Sequence, residues 1–374
     1  MNKSFLRQIL TFLFSLYILQ SLAQDTSDNK VGVNHSITSQ VLNETKHFQV
    51  HLPKDYHLSN KSYPVVYILD GQRFFLHAVS LYQSFNTFDE TPEFIVVGII
   101  NDQASRMATF SSGGDQFLDY LQNELVPFVD EHYRTSHKRL LFGWAYAGGF
   151  GLETLMKAPN LFDGFILSSP FPVANKTEKF QQFLTNNKEL STFMFYSSYK
   201  EENGVNQGTQ ALTKLLKNTT SKLRWHFKEL YGEEHRSTPY TTLYHGVLAY
   251  FNFYQELLIP TLSEFKELGG LSYFYDYYKR RHKLYGKNIE PSIFPKFAIL
   301  RLAMTENDFK SFKLFYKDLG GENLIRIMKT SRACSVAEFF LKHNDKASAK
   351  KIFKLILEID PNYTRAKEGL SKAM

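Results

Sequence analysis

The chain is predicted to be an α/β protein with a mainly parallel sheet, followed by a helical region. Three observations carry this. Between residues 47 and 232, apolar strand-like runs alternate with amphipathic stretches of helical period. Several of the runs are continuously apolar, as strands covered on both faces require. Past about residue 262 the strand signal fades and helical periodicity continues to the end.

Taken in order, Phe48 to Leu52 alternates apolar and polar side chains and reads as an early, half-exposed strand. Tyr63 to Leu69, Phe94 to Ile100, Arg139 to Phe142, Phe165 to Leu167, Phe193 to Tyr196 and Leu223 to Leu230 read as further strands. Between them, Asp115 to His132 carries Phe117, Leu118, Leu121, Leu125 and Phe128 at helical spacing, with Asp115 as its expected cap after Gly113-Gly114. Leu152 to Met156 begins another helix. In the last part, Ala337, Phe340, Ala349, Phe353, Ile356 and Pro361 fall at the offsets of a tetratricopeptide repeat, in which small residues let two antiparallel helices approach. One unit, Thr330 to Tyr363, fits. Ala298 to Leu319 gives a fainter helical pair upstream.

The expected layout is a signal peptide over 1–23, an α/β domain over 24–261, and a helical region over 262–374 with the tetratricopeptide-like hairpin at 330–363. Lys3 and Arg7 form a positive start, Ile9 to Leu19 an apolar core, and Ser21-Leu22-Ala23 a small-residue cleavage site. An apolar core of that length is too short for the ~20 residues of a membrane span. The product is therefore expected outside the cytoplasm, periplasmic or secreted, with no membrane span. Its single cysteine, Cys334, permits no intrachain disulfide, so the core alone must stabilise the fold. The formal charge of +7 falls to +5 once Lys3 and Arg7 are removed. Basic residues are scattered among acids, and the one dense run, Lys279 to Lys283, is short. That pattern argues against nucleic acid as a partner.

The run Leu140-Leu141-Phe142-Gly143-Trp144-Ala145-Tyr146-Ala147-Gly148-Gly149 sits where a strand turns sharply into a helix. It has the form of a nucleophile elbow, Gly-x-Ser-x-Gly, in which small residues flank the nucleophile because strand and helix pass very close. Here the centre is Ala145.

With this elbow, the sequence from about residue 45 to 255 resembles the putative esterase family of α/β-hydrolases, which includes esterase D-like and siderophore-esterase-like enzymes. The resemblance rests on Leu69-Asp70-Gly71, on Val97-Gly98-Ile99 followed by Asn101 and Arg106, and on Gly114 with Phe117 to Pro127. It continues through Pro159 to Gly164 and Ser168-Ser169-Pro170, and ends in Glu234-His235-Arg236-Ser237-Thr238-Pro239. The helical tail is similar to an appendage on some exported members. The resemblance implies an α/β-hydrolase fold, with His235 as the catalytic histidine and Glu202 or Glu201 as the acid. Glu202 is preferred because Asn203-Gly204 follows it. The chain order of nucleophile, acid and histidine is also what this fold requires. Backbone N–H groups of Tyr146 and Gln72 would stabilise the oxyanion. His245, inside an expected helix, reads as helix surface. Ser168 and Ser169 end a different strand and are poor substitutes for the nucleophile.

The departures from the family pattern cluster at this site. Ala145 stands where serine is expected, Trp144 where histidine is usual and Ala147 where glycine is usual, and Arg106-Met107-Ala108-Thr109 lacks the common aspartate. Alanine has no oxygen to attack a carbonyl, so covalent catalysis through residue 145 is excluded. An engineered serine-to-alanine trap would explain Ala145 alone but not its neighbours, so natural loss of the activity is the simpler account. The sequence thus predicts an exported, catalytically impaired esterase homologue that acts by binding. It would take a small ester or sugar ligand in the cleft and a protein partner through the tail. The alternative is an active carboxylic ester hydrolase on small esters, acylated sugars or siderophore-like esters, should Ala145 be engineered or bypassed. No metal-ligand spacing and no glycine-rich phosphate loop follows a strand, so no cofactor is expected.

Overall fold

The computed structural model describes residues 31–374. The expected signal peptide, 1–23, lies outside the described residues. Eight strands form one sheet: β1 (Val33–Ser39), β2 (Glu44–His51), β3 (Tyr63–Leu69), β4 (Ile95–Ile99), β5 (Thr135–Trp144), β6 (Gly164–Ser168), β7 (Phe193–Tyr199) and β8 (Arg224–Leu230). Their order is β1-β2-β4-β3-β5-β6-β7-β8. β2 runs antiparallel to β1 and β4, and every other pairing is parallel. This is the α/β-hydrolase architecture the motifs imply.

The helices of this region are α1 (Gly71–Thr87), α2 (Arg106–Thr109), α3 (Gly114–Tyr120), α4 (Val126–His132), α5 (Tyr146–Lys157), α6 (Thr177–Asn186), α7 (Val205–Lys217) and α8 (Thr238–Tyr250). A π-helical stretch, Leu121–Leu125, joins α3 to α4. Side chains of β3 alternate between two cores. Val65, Tyr67 and Leu69 face the apolar stripes of α3 to α7, while Val66 and Ile68 face α1 and α8. Burial on both faces explains why the central strands read as unbroken apolar runs.

Two expectations need correction. The sheet begins earlier than Phe48, because β1 pairs with β2 along its whole length, from Val33 opposite Val50 to Ser39 opposite Glu44. Its sequence, VNHSITS, lies at the sheet edge and is largely exposed, so it has little apolar pattern to detect. Nor does Asp115 cap its helix. Gly113 occupies that position without a side-chain bond, and Asp115 lies in the first turn, paired with Lys157.

The remainder is helical: α9 (Leu262–Glu267), α10 (Gly270–Tyr285), α11 (Ile293–Thr305), α12 (Phe309–Asp318), α13 (Gly321–Ile327), α14 (Thr330–Lys342), α15 (Lys346–Ile359) and α16 (Thr364–Ala373). They enclose a core of their own that includes Leu257, Phe274, Leu300, Phe312, Phe340 and Phe353. The pairs α11/α12 and α14/α15 repeat one design at an offset of 37 residues. Asn307 and Asn344 turn the chain with φ of 55° and 59°. Asp308 and Asp345 then cap the second helix by accepting from the N–H of Ser311 at 2.9 Å and of Ser348 at 3.1 Å. That offset is longer than the 34 residues of a tetratricopeptide unit. The basic run at 279–283 is partly committed to packing. Arg281 is buried and donates to the Tyr254 carbonyl at 2.8 Å, and Arg280 lies over the Phe253 ring. Among the described residues no helix is long and apolar enough to cross a membrane.

Ala337 and Ala349 are both fully buried between α14 and α15, beside Phe340 and Phe353. Ala349→Trp should overpack this contact and lower stability by ~1–3 kcal/mol. Urea denaturation of the full chain measures it, and an unchanged midpoint would contradict the packing described.

Candidate active site

The site is built around the reversal between β5 and α5. The strand ends at Trp144 and the helix starts at Tyr146, which leaves Ala145 to make the turn with φ 56° and ψ −116°. A residue with a side chain pays on the order of 1–3 kcal/mol for such a conformation and keeps it only when its surroundings over-determine it. They do so here. The Ala145 N–H donates to the Ser168 carbonyl at 2.9 Å, and its carbonyl accepts from the N–H groups of Gly149 at 2.9 Å and Phe171 at 3.0 Å. Strand and helix pass so close that a Cβ on Gly143 would collide with the backbone of Ala147. The small residues of the motif are therefore a packing requirement, met whatever sits at 145.

Behind the turn lies a buried ion pair. Asp70 is fully buried and receives Arg106 at both carboxylate oxygens, from Nε at 2.9 Å and from Nη2 at 2.6 Å. Arg106 Nη2 also donates to the Trp144 carbonyl at 2.9 Å, which ties the pair to the end of β5. The Asp70 N–H donates to Asn101 Oδ1 at 3.1 Å. Gly71 opens α1 directly against β4, where a Cβ would meet the Gly98 backbone at 2.5 Å. Thus Leu69-Asp70-Gly71, Val97-Gly98-Ile99, Asn101 and Arg106 meet in one brace under the elbow.

The structure brings Glu202 and His235 together. Glu202 follows β7, is buried, and its Oε1 bonds Nδ1 of His235. Glu201 beside it is exposed. The other Glu202 oxygen accepts from Ser169 Oγ at 2.7 Å. Ser169 and Ser168 both bond Thr238 Oγ1, which donates in turn to the His235 carbonyl at 3.1 Å. Both serines are fully buried, with their hydroxyls committed to this network. His245 lies on α8 and is half-buried. Burial and the nearby Lys228 ammonium lower its pKa.

Trp144 joins the two halves of the site. Its indole Nε1 donates to the His235 carbonyl at 2.9 Å, and its ring lies 4.7 Å from the imidazole, centroid to centroid. The guanidinium groups of Arg106 and Arg73 approach the same indole at 5.3 and 5.6 Å.

Tyr146 and Gln72 occupy the first and second positions of α5 and α1, whose opening N–H groups have no intrahelical acceptor. Both helices start beyond the C-terminal ends of the neighbouring strands β3 and β5. The Gln72 side chain is fixed on the Asn101 backbone, donating to its carbonyl at 2.7 Å and accepting from its N–H at 3.1 Å.

Sequence reasoning missed the roles of Asp70, Arg106, Trp144 and Ser169. An aspartate directly after an apolar run and before glycine was a usable signal for Asp70, and paired serines at the end of a buried strand were one for Ser169. Nothing in the sequence pointed from Trp144 to His235.

Residues 39–220 match the model of the family described as Putative esterase. Two curated relatives from Bacillus subtilis, both named uncharacterized, match shorter stretches. YbbA is 23% identical over 133 residues, covering 31% of this chain and 53% of its own length. YjcH is 30% identical over 145 residues, covering 36% and 59%. The chain thus spans little more than half the length of either. Among solved structures, an IroE-like serine hydrolase from Shewanella oneidensis superposes with a TM-score of 0.58 at 20% identity, over 77% of this chain and 98% of its own. An uncharacterised protein from Capnocytophaga ochracea gives 0.58 at 18%, over 91% and 99%, a span that reaches well into the C-terminal helices. The siderophore hydrolase EstB from Aspergillus nidulans gives 0.51 at 19%, over 62% and 97%. These likenesses establish the fold.

Removing one charge of a buried pair strands the other, at ~3–5 kcal/mol. Asp70→Asn should therefore destabilise the protein by about that amount. A loss under ~1 kcal/mol in chemical denaturation, the range of an exposed pair, would show that the brace is not held as described.

Proposed function

We propose that this chain, whose residues 39–220 belong to the putative esterase family, is an exported homologue that forms no acyl-enzyme and works mainly by binding. Its ligand is a small ester or an acylated sugar held in the cleft above the elbow. The single observation that carries the reading is Ala145 at the turn, in a backbone conformation that would present a nucleophile. Loss of a triad serine lowers kcat by ~10⁶. His235 takes the part of the family's histidine and Glu202 that of its acid, while the N–H groups of Tyr146 and Gln72 serve as oxyanion donors.

The layout carried forward is a signal peptide over 1–23, a hydrolase domain over 24–261 and a helical region over 262–374. Lys3, Arg7 and the apolar core before Ala23 support export to the periplasm or the medium. The repeated hairpins support a tetratricopeptide-like tail that docks a protein partner. A second reading, an active ester hydrolase, is favoured by one observation: the Glu202–His235 hydrogen bond is intact.

Two measurements test this. The wild-type protein should not be labelled by a fluorophosphonate probe, whereas Ala145→Ser should gain labelling and ester turnover below the ~10 per second of a median enzyme, because Trp144 and Ala147 crowd the turn that must present the new hydroxyl. Adding His235→Ala should remove both gains. Labelling of the wild-type chain at any residue would refute the reading. Expressed with its own N-terminus in a secreting host, the mature protein should begin at Gln24. Recovery of the unprocessed chain would remove the export proposal.

A further inference from the structure

We propose that the cleft retains a slow ester hydrolysis with no covalent enzyme intermediate, in which His235 draws a proton from water and that water attacks the acyl carbon directly. The inference rests on the preceding reading, that residue 145 forms no acyl-enzyme. A serine hydrolase already contains this chemistry. Its second half-reaction is the attack of water on an ester, the acyl-serine, with the same histidine as base and the same oxyanion donors. With alanine at 145 the substrate ester itself can take that place.

Three features of the site support the step. Glu202 holds Nδ1 of His235, and since a carboxylate can only accept, Nδ1 carries a proton, which in the neutral imidazole leaves the lone pair on Nε2. Nε2 makes no hydrogen bond among the described residues, and the side chain is 41% exposed, so water reaches it. Glu202 is itself held by Ser169 and has only 6% of its side chain exposed. A carboxylate buried so deeply weakens a fold unless it is paired, so Glu202 is held firmly on the imidazole.

The third feature is Trp144. In a protease stripped of its serine the histidine adds nothing to the remaining rate, and the hydroxyl that bonded Nε2 is no longer there to hold the ring. Here the indole supplies another anchor. Its Nε1–H bonds the His235 carbonyl and its ring packs on the imidazole, from the residue directly before Ala145. Trp144 is thus a positioning residue for the base.

In the step, a water O–H proton moves to Nε2 while the water oxygen bonds the acyl carbon and the carbonyl π pair moves onto its oxygen. The intermediate collapses, the carbon–alkoxide bond breaks, and the proton on Nε2 passes to the leaving alkoxide. Ester and water become acid and alcohol, and no enzyme bond forms.

The test uses the full mature chain with phenyl acetate. The expected rate is ~10⁵ to 10⁶ above the uncatalysed reaction, that is, the ~10³ to 10⁴ from oxyanion donors and binding that survives loss of a triad member, raised ~10²-fold by the base. His235→Ala and Glu202→Gln should each lower it by ~10²-fold or more. Trp144→Phe, which keeps a ring but removes the bond to the His235 carbonyl, should lower kcat and leave KM nearly unchanged. Intact protein mass after a rapid quench should show no adduct. A solvent deuterium isotope effect on the wild-type rate provides a readout that needs no variant. Turnover no faster than buffer, turnover indifferent to His235, or no isotope effect overturns this inference and leaves the binding role standing. An acyl adduct on the protein overturns the preceding reading instead.

Discussion

The close passage of β5 and α5 at residues 143–147 is the constraint on which the rest of the site depends. Because a side chain on Gly143 would strike the Ala147 backbone, the turn can be made only with small residues around it and with positive φ at its centre. The hydrogen bonds to the Ser168 carbonyl and from the N–H groups of Gly149 and Phe171 then fix Ala145 between its own helix and the end of β6. Geometry is imposed by the sheet and the helix, and the residue at the apex inherits it. A serine can therefore be lost without loss of the elbow.

Electrostatics reinforce the same point. Asp70 and Arg106 are both buried and satisfy each other, and the guanidinium has a donor left over for the Trp144 carbonyl. Such a pair is a weak source of net stability but a strong source of geometry, since neither partner can move without exposing an uncompensated charge. Glu202 is arranged in a similar way, with His235 on one oxygen and Ser169 on the other. The two acids lie on opposite sides of the elbow, and Trp144 contacts the partner of each. Trp144 thereby couples the brace to the histidine-bearing loop.

The helical tail is organised on separate principles. Its core is made by aliphatic and aromatic residues together, and two of its turns are set by an asparagine of positive φ followed by a capping aspartate. It meets the sheet domain through polar and aromatic contacts. Lys287 pairs with Asp89 at 2.7 Å and lies 4.2 Å above the Tyr254 ring, and Tyr285 bonds the Asn252 carbonyl at 3.0 Å.

The sequence by itself determined the α/β class, seven of the eight strands, the elbow and the alanine at its apex. Those features are local: a buried parallel strand must be apolar throughout, and a tight strand-to-helix turn must be built from small residues. It could not reveal β1, because an exposed edge strand such as VNHSITS buries too little to impose a pattern. The sequence preferred Glu202 to Glu201 on the Asn203-Gly204 that follows it, but which of two adjacent glutamates faces His235 was decided by the fold, which turns Glu202 inward. The same holds for Asp70 with Arg106, for Ser169 with Glu202, and for Trp144 with His235. Each pair is separated by at least 33 positions and joined only when the strands align, and a side-chain hydrogen bond across such a gap leaves no periodicity in either partner's neighbourhood.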